Sequence, residues 1–305
     1  MERTVVRRLP DGSVRRVQPF HVSLEGLEKA IICRDREDYD AVEKQLVICA
    51  KRKNVLIIIH TVVSNHAHVA VLAAQLQSAQ AYADEVKRMI GMWVRRKYGD
   101  AKLMKKVDAS AVGLDSNQHV RNALAYIPRN TLDNGCNVNE YPWTGYRAMF
   151  RRADASVEVG RRVASLTKRE KAAIMHTCDD LADVPWLLDC DGHLIPSSFC
   201  DTAYLEQVFN GDQAFFIRTI GSLNSPEMRY ALIEQPRTRL PDSEFHKVVN
   251  DMCIRWYRQD IAEIPMDKKI RLLTYVRRTM RTTLPQLARI FGMSRERVAE
   301  TIRQF

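Results

Sequence analysis

Apolar and polar positions change period several times along the first half of the chain, and each change marks an element. Val17–Leu24 (VQPFHVSL) is short and rich in β-forming residues, which predicts a strand. From Asp35 to Lys53 the spacing is helical, with Tyr39, Val42, Leu46 and Cys49 along one side. Val55–Val63 (VLIIIHTVV) is an apolar, β-branched run that suits a strand better than a helix. Ser64 and Asn65 supply a turn, and His66–Ala73 (HAHVAVLA) is the partner strand of the resulting hairpin. Ser78–Tyr98 reads as a long amphipathic helix that stops before Gly99, with Arg95, Arg96 and Lys97 in its last turn. Lys102–Val112 suits a further strand, and Ser116 caps a helix running through Val120, Leu124 and Ile127.

Beyond Phe150 the pattern changes. Residues 163–267 read as mostly helical and polar, broken by Pro185, the loop DCDGHLIPSS, Pro236 and Pro241. The final stretch has the form of a helix-turn-helix. Leu284–Phe291 makes one helix, Gly292 and Met293 a turn with Ser294 as N-cap, and Arg295–Phe305 the second helix. Leu287, Ile290, Val298 and Ile302 are its packed side. The chain is therefore expected to be α+β. A small antiparallel sheet with helices (1–155) precedes an acidic, mostly helical region (156–265) and a basic C-terminal module (266–305).

Composition narrows the picture. With 305 residues, 46% apolar and 28% charged, the chain has the balance of a folded protein rather than a disordered or collagen-like one. It lacks the apolar run of about 18 residues that a spanning helix needs, and the N-terminus lacks a secretory apolar stretch, so a cytoplasmic protein is expected. The net charge of +10 is unevenly spread: +9 over residues 1–162, −7 over 163–267 and +8 over 268–305. Two basic blocks separated by an acidic one can grip a phosphate backbone at two places. The seven cysteines form no C-x-x-C pair and suit reduced thiols. His176, Cys178, Cys190, His193 and Cys200 cluster in sequence, but their irregular spacing favours idle thiols over a zinc site.

Candidate chemistry begins with His66 and His68. On a strand, residues two apart share a face, so the two imidazoles can serve one divalent cation. The pair alone is a weak signal. Further on, Tyr126 and Asn130 (in LAYIPRN) stand four apart on a helix and can project from one face. An amide oxygen is a hard ligand suited to magnesium or manganese, and a phenol beside a cation is a candidate nucleophile. By itself Tyr126 is more economically read as a core residue of an amphipathic helix.

Resemblance adds to these readings. HTVVSNHAHVAV (His60–Val71) resembles the histidine strand of single-tyrosine HUH transposases, the REP-associated tyrosine transposases and their insertion-sequence relatives. The run YIPRNTLDNGCNVNEYPWTGYRAMF (Tyr126–Phe150) is similar to that family's tyrosine helix and the segment after it, and FHVSLEG with IICRDREDY to its first strand and first helix. The likeness spans roughly residues 15–152 in matching order. It implies a ferredoxin-like HUH domain with His66 and His68 as metal ligands, Asn130 in the position of the third ligand and Tyr126 as nucleophile. The cofactor implied is Mg2+ or Mn2+. The activity implied is transesterification on single-stranded DNA beside a hairpin, through a 5′-phosphotyrosine and a free 3′-hydroxyl. The expected partners are single-stranded hairpin DNA and, through the C-terminal module, double-stranded DNA. No membrane is expected, and the protein would act as a monomer or homodimer. Arg88, Arg95, Arg96 and Lys97 are candidate DNA contacts, with Lys102, Lys105 and Lys106 beside them. Arg295 and Arg297, opening the last helix, are candidates where a recognition helix meets DNA.

Two other readings stay open. A domesticated relative would bind DNA through its tail without catalysis. An unrelated His-x-His metallohydrolase would need further His or Asp ligands, and the remaining histidines form no second motif.

Overall fold

A computed structural model describes residues 3–25, 31–150, 159–222, 242–280 and 282–304. Gly26, Pro236, Pro241, Phe305 and the expected boundary at 155–156 lie outside the described residues. The chain opens with β1 (Val5–Arg8), β2 (Val14–Glu25), α1 (Arg36–Lys53), β3 (Leu56–Val62), β4 (Ala67–Ala73) and α2 (Leu76–Tyr98). A 3-10 turn (Lys102–Lys106), β5 (Asp108–Gly113) and α3 (Asn117–Asp133) follow.

All strand pairs in the main sheet are antiparallel. β4 lies between β2 and β3, and β5 pairs with the other side of β2. From β2 to β5 the order is that of a βαββαβ ferredoxin-like unit, in agreement with the α+β expectation. β1 is an addition, paired with the first residues of β2. The expected strand at Lys102–Val112 is present only in its second half. Asp100 accepts a hydrogen bond from the Lys102 backbone N–H (2.8 Å), and the Met104 N–H bonds the Ala101 carbonyl, winding Lys102–Lys106 into a 3-10 turn.

Both faces of the sheet are covered. Phe20, Val22, Leu24, Val69 and Val71 meet Tyr39, Leu46, Tyr82, Val86 and Trp93 of α1 and α2. On the opposite face Ile58, Ile59, Ala70 and Leu72 meet Val120, Leu124 and Ile127 of α3. A register shift between Ile57 and Ile59 turns two consecutive isoleucines, Ile58 and Ile59, into this second core. Burying each such side chain contributes about 1.5–3 kcal/mol, so α3 is held to the sheet by its own apolar stripe.

The next segment was expected to be mostly helical. Its first part instead pairs β6 (Val159–Arg162) with β7 (Leu187–Asp189), around the short α4 (Lys168–Ile174). Val163, Leu166, Met175, Trp186 and Leu188 join the α1/α2 core, while α5 (Thr202–Val208) and α6 (Gln213–Ser222) join the α3 core. The acidic character has a structural use here. Asp179 pairs with Arg52, Asp183 with Lys51 and Asp201 with Arg7.

Arg52 clamps two elements at once. Its guanidinium reaches Glu85 of α2 at 2.8 Å and both carboxylate oxygens of Asp179 at 2.6 and 2.9 Å. Hydrogen bonds, from Arg88 first and then from Arg52, hold the Glu85 carboxyl at about 2 despite partial burial. A carboxylate with a depressed folded pKa stabilises above its unfolded value of 4.5 and loses that contribution as pH falls towards 2. Arg52→Ala is therefore expected to cost about 1 kcal/mol at pH 7 and to flatten the acid limb of the stability profile between pH 4.5 and 2. Parallel profiles for the variant and parent chains, measured by urea melts across that range, would contradict the clamp.

The C-terminal helices are α7 (Asp242–Tyr257), α8 (Met266–Thr279), α9 (Leu284–Phe291) and α10 (Arg295–Gln304). Gly292, at φ 63°, ends α9 in the left-handed conformation that glycine adopts most easily, and Ser294 Oγ accepts from the Arg297 N–H to start α10. Leu287, Ile290 and Val298 are buried as their spacing predicts, with Ile302 partly buried beside them. Phe245, Val249, Ile261 and Ile264 share this third core, so it begins upstream of residue 266.

Candidate active site

Alternation along β2 and β4 decides which side chains face α3. In β2, Phe20, Val22 and Leu24 point to the α1/α2 core, which leaves His21 and Ser23 on the other face. Ser23 pairs with His68 across the ladder and His21 with Ala70. His66 ends the turn before β4, where the Val63 N–H bonds its carbonyl at 3.0 Å. The rings of His66 and His68 stand 5.0 Å apart.

α3 brings the remaining groups. Ser116 Oγ accepts from the His119 N–H, as the capping pattern predicts, and the helix continues through Pro128. The Tyr126 ring meets His68 edge-on at 5.1 Å and His21 at 6.2 Å. Asn130, 3% exposed, donates from Nδ2 to the carbonyls of Tyr126 (2.9 Å) and Ile127 (3.3 Å). These bonds to its own helix turn Oδ1 outward, where it lies 3.2 Å from His66 Nε2. Thus His66, His68, Asn130 and Tyr126, spread over 65 positions of sequence, meet within one chain.

Electrostatics bear on whether a cation fits. His66 Nδ1 faces Asn65 Oδ1 at 2.8 Å while Nε2 faces Asn130 Oδ1. Both neighbours are acceptors, and a neutral imidazole has one proton to offer them. Doubly protonated imidazole would satisfy both, but burial pulls the His66 pKa below its ordinary value; the Asn130 oxygen acts in the opposite sense, and Arg289 adds to the lowering. His68 is pushed further down, by burial first and then by His66 and His21. Neutral rings with lone pairs to spare, beside a hard amide oxygen, are a donor set suited to Mg2+ or Mn2+. The donor types present, two neutral imidazoles and an amide oxygen, are ones a divalent ion accepts. Among the described residues no group of three or more His, Cys, Asp or Glu is placed to hold a metal.

The sequence reading missed His21. Its Nε2 lies 3.1 Å from His68 Nδ1, so the two rings share one proton between those atoms; Glu25 stands 3.6 Å from the same Nδ1. Burial lowers the His21 pKa as well. The available signal was alternation in VQPFHVSL, which sets His21 opposite the apolar face.

The candidate DNA contacts are scattered over different surroundings. Arg95 and Arg96 are exposed on α2, with Arg96 over the Trp93 ring at 5.8 Å. Arg88 is exposed but bonded to Glu85 at 2.7 Å. Lys97 is enclosed by Asp35, Glu37 and Asp38 at 2.8–2.9 Å, which raises its pKa against the opposing effect of burial; its charge is already matched within the protein. Arg295 and Arg297 are exposed at the start of α10, Arg297 within 3.4 Å of Glu300. Of the residues weighed for zinc, His193 pairs with Asp40 at 2.9 Å and His176 packs on Trp93. No described helix is long and apolar enough to cross a membrane.

No family model matches the chain, and no curated protein matches it. Among solved structures, a REP-associated tyrosine transposase bound to a REP hairpin is similar over 49% of this chain and 88% of that one, with a TM-score of 0.32 and 11% sequence identity.

Proposed function

We propose that this protein nicks and rejoins single-stranded DNA by transesterification, with Tyr126 as the nucleophile. The observation that carries the reading is the convergence of His66, His68 and Asn130 beside the Tyr126 ring on one face of the sheet. His66, His68 and Asn130 would hold Mg2+ or Mn2+, which supplies charge neutralisation and orientation of a phosphate. The phenol oxygen of Tyr126 bonds to phosphorus as the bond to the 3′ oxygen breaks. The phenolic proton ends on that oxygen, which becomes a free 3′-hydroxyl. Attack by another strand's 3′-hydroxyl reverses the step and rejoins DNA, so no nucleotide hydrolysis is needed. Neutral His66 and His68 keep their lone pairs available at pH 7, because burial disfavours their charged forms. The exposed arginines of α2 and α10 supply phosphate contacts, which set position along the strand.

The test is incubation with a single-stranded hairpin oligonucleotide and Mn2+. A covalent protein–DNA product is expected on a denaturing gel, its formation prevented by EDTA added beforehand and restored by excess Mn2+. A product indifferent to EDTA would refute the metal-dependent reading. The second reading, a DNA-binding protein without catalysis, draws support from the glycine-turned helix pair with Arg295 and Arg297 exposed. Duplex binding with no covalent product would favour it.

A further inference from the structure

The two elements that carry the site's donors are tied together a second time by residues of the C-terminal helices. Ser64 precedes His66 by two positions in the turn that delivers it, and its carbonyl accepts from the Ile32 and Cys33 N–H groups. Asn134 caps α3 four residues beyond Asn130, and its Nδ2 donates to the Asn130 carbonyl at 2.7 Å. Between Ser64 and Asn134 stand Asp242, the first residue of α7, and Arg289 of α9. Asp242 Oδ2 accepts from Ser64 Oγ at 2.7 Å and from Arg289 Nε at 2.6 Å, while Oδ1 accepts from Gln286 Nε2 at 3.0 Å. Arg289 donates a further bond to Asn134 Oδ1. The Asp242 and Arg289 side chains are 2% and 8% exposed.

The geometry points to Asp242 and Arg289 as positioning residues of the active site. The contacts form a ring. On one side His66 Nε2 faces Asn130 Oδ1, and on the other the path runs Ser64–Asp242–Arg289–Asn134 and back to the Asn130 carbonyl. A turn and a helix end carry the two donors, and this path fixes one relative to the other. The guanidinium's fixed fork sets both its partners in direction as well as distance. The C-terminal segment is thereby part of the site's scaffold. The inference rests on the reading of His66 and Asn130 as donors to one cation.

The experiment uses the full chain with Arg289→Met and Arg289→Lys. Mn2+ binding is followed by electron paramagnetic resonance, the covalent product by single-turnover gels, and oligonucleotide affinity by anisotropy. Arg289→Met is expected to raise the Mn2+ midpoint and slow product formation, each by about 10-fold, the low end of the range for losing a direct partner of a ligand, because Arg289 acts through Asp242 and Asn134. Affinity for the oligonucleotide changes far less. Lysine keeps the charge and one bond to Asp242, so it restores part of the Mn2+ affinity, a graded response that simple loss of packing does not produce. Hydrogen exchange at residues 62–68 and 130–136 is expected to quicken in both variants. A folded variant with an unchanged Mn2+ midpoint and unchanged exchange overturns the inference. If the wild-type chain binds Mn2+ but forms no covalent product, the catalytic reading falls while the exchange and Mn2+ data still decide the positioning role. Should Arg289→Met not fold, the lysine variant carries the same comparison.

Discussion

Tyr126→Phe is expected to reduce the covalent protein–DNA product to background while leaving oligonucleotide affinity within about twofold. The change removes one oxygen and keeps the ring, so the edge-on contacts with His68 and His21 and the packing of α3 persist. What disappears is the atom that bonds phosphorus. Loss of a nucleophile removes the step outright, with deficits of about 10⁴-fold or more in comparable covalent enzymes. Binding depends on phosphate contacts and base stacking, neither of which needs this hydroxyl. Two measurements separate the effects: a denaturing gel for the adduct and anisotropy for affinity. An adduct that survives in the phenylalanine variant would move the nucleophile elsewhere and dismantle the proposed chemistry.

His68→Ala is the second large effect. The ring is 2% exposed and touches His66, His21 and Tyr126, so its removal takes away a proposed metal donor from the centre of the cluster. Product formation is expected to fall by about 100-fold or more, beyond the usual cost of losing an outer-shell partner, and the Mn2+ midpoint to rise in parallel. His21 loses its ring partner as well, leaving a half-buried nitrogen without the bond it makes in the native chain. Some stability is therefore lost, and the melt must be recorded beside the activity. A variant that still folds and keeps the native Mn2+ response would exclude His68 from the metal site, whatever its effect on rate.

Much of the frame was legible in order and nearly in register. The hairpin of β3 and β4 follows from a β-branched run and its shorter apolar partner on either side of Ser64 and Asn65. α2 ends at Gly99 with three cations in its last turn, and α3 begins at Ser116, because caps act within a few residues of the chain. The misses have physical causes of longer reach. β1 is a four-residue strand of half-buried and exposed residues, and only pairing with β2 gives it a shape. The 3-10 turn at Lys102–Lys106 displaced half of an expected strand. Lys97 reads as a surface cation in a run of three, yet three carboxylates of the α1 start, distant in sequence, enclose it. The acidic stretch had no derivable role until Arg7, Lys51 and Arg52 were seen to receive it.

Within the site the division is sharper. His68 lies on β4 with His66 two residues before it at the strand's entry, and Tyr126 and Asn130 share a face because a helix completes just over one turn in four residues. Both facts are local, and the sequence alone determined them, together with the α+β class, the caps and the glycine turn near the C-terminus. Only the tertiary structure decided that those two faces meet, that His21 joins them from a second strand, β2, and that Asp242 and Arg289 link the turn before β4 to the end of α3. Ladder register and the seating of a helix on a sheet depend on how whole apolar surfaces interlock, and spacing along a single segment carries no record of the surface it will meet.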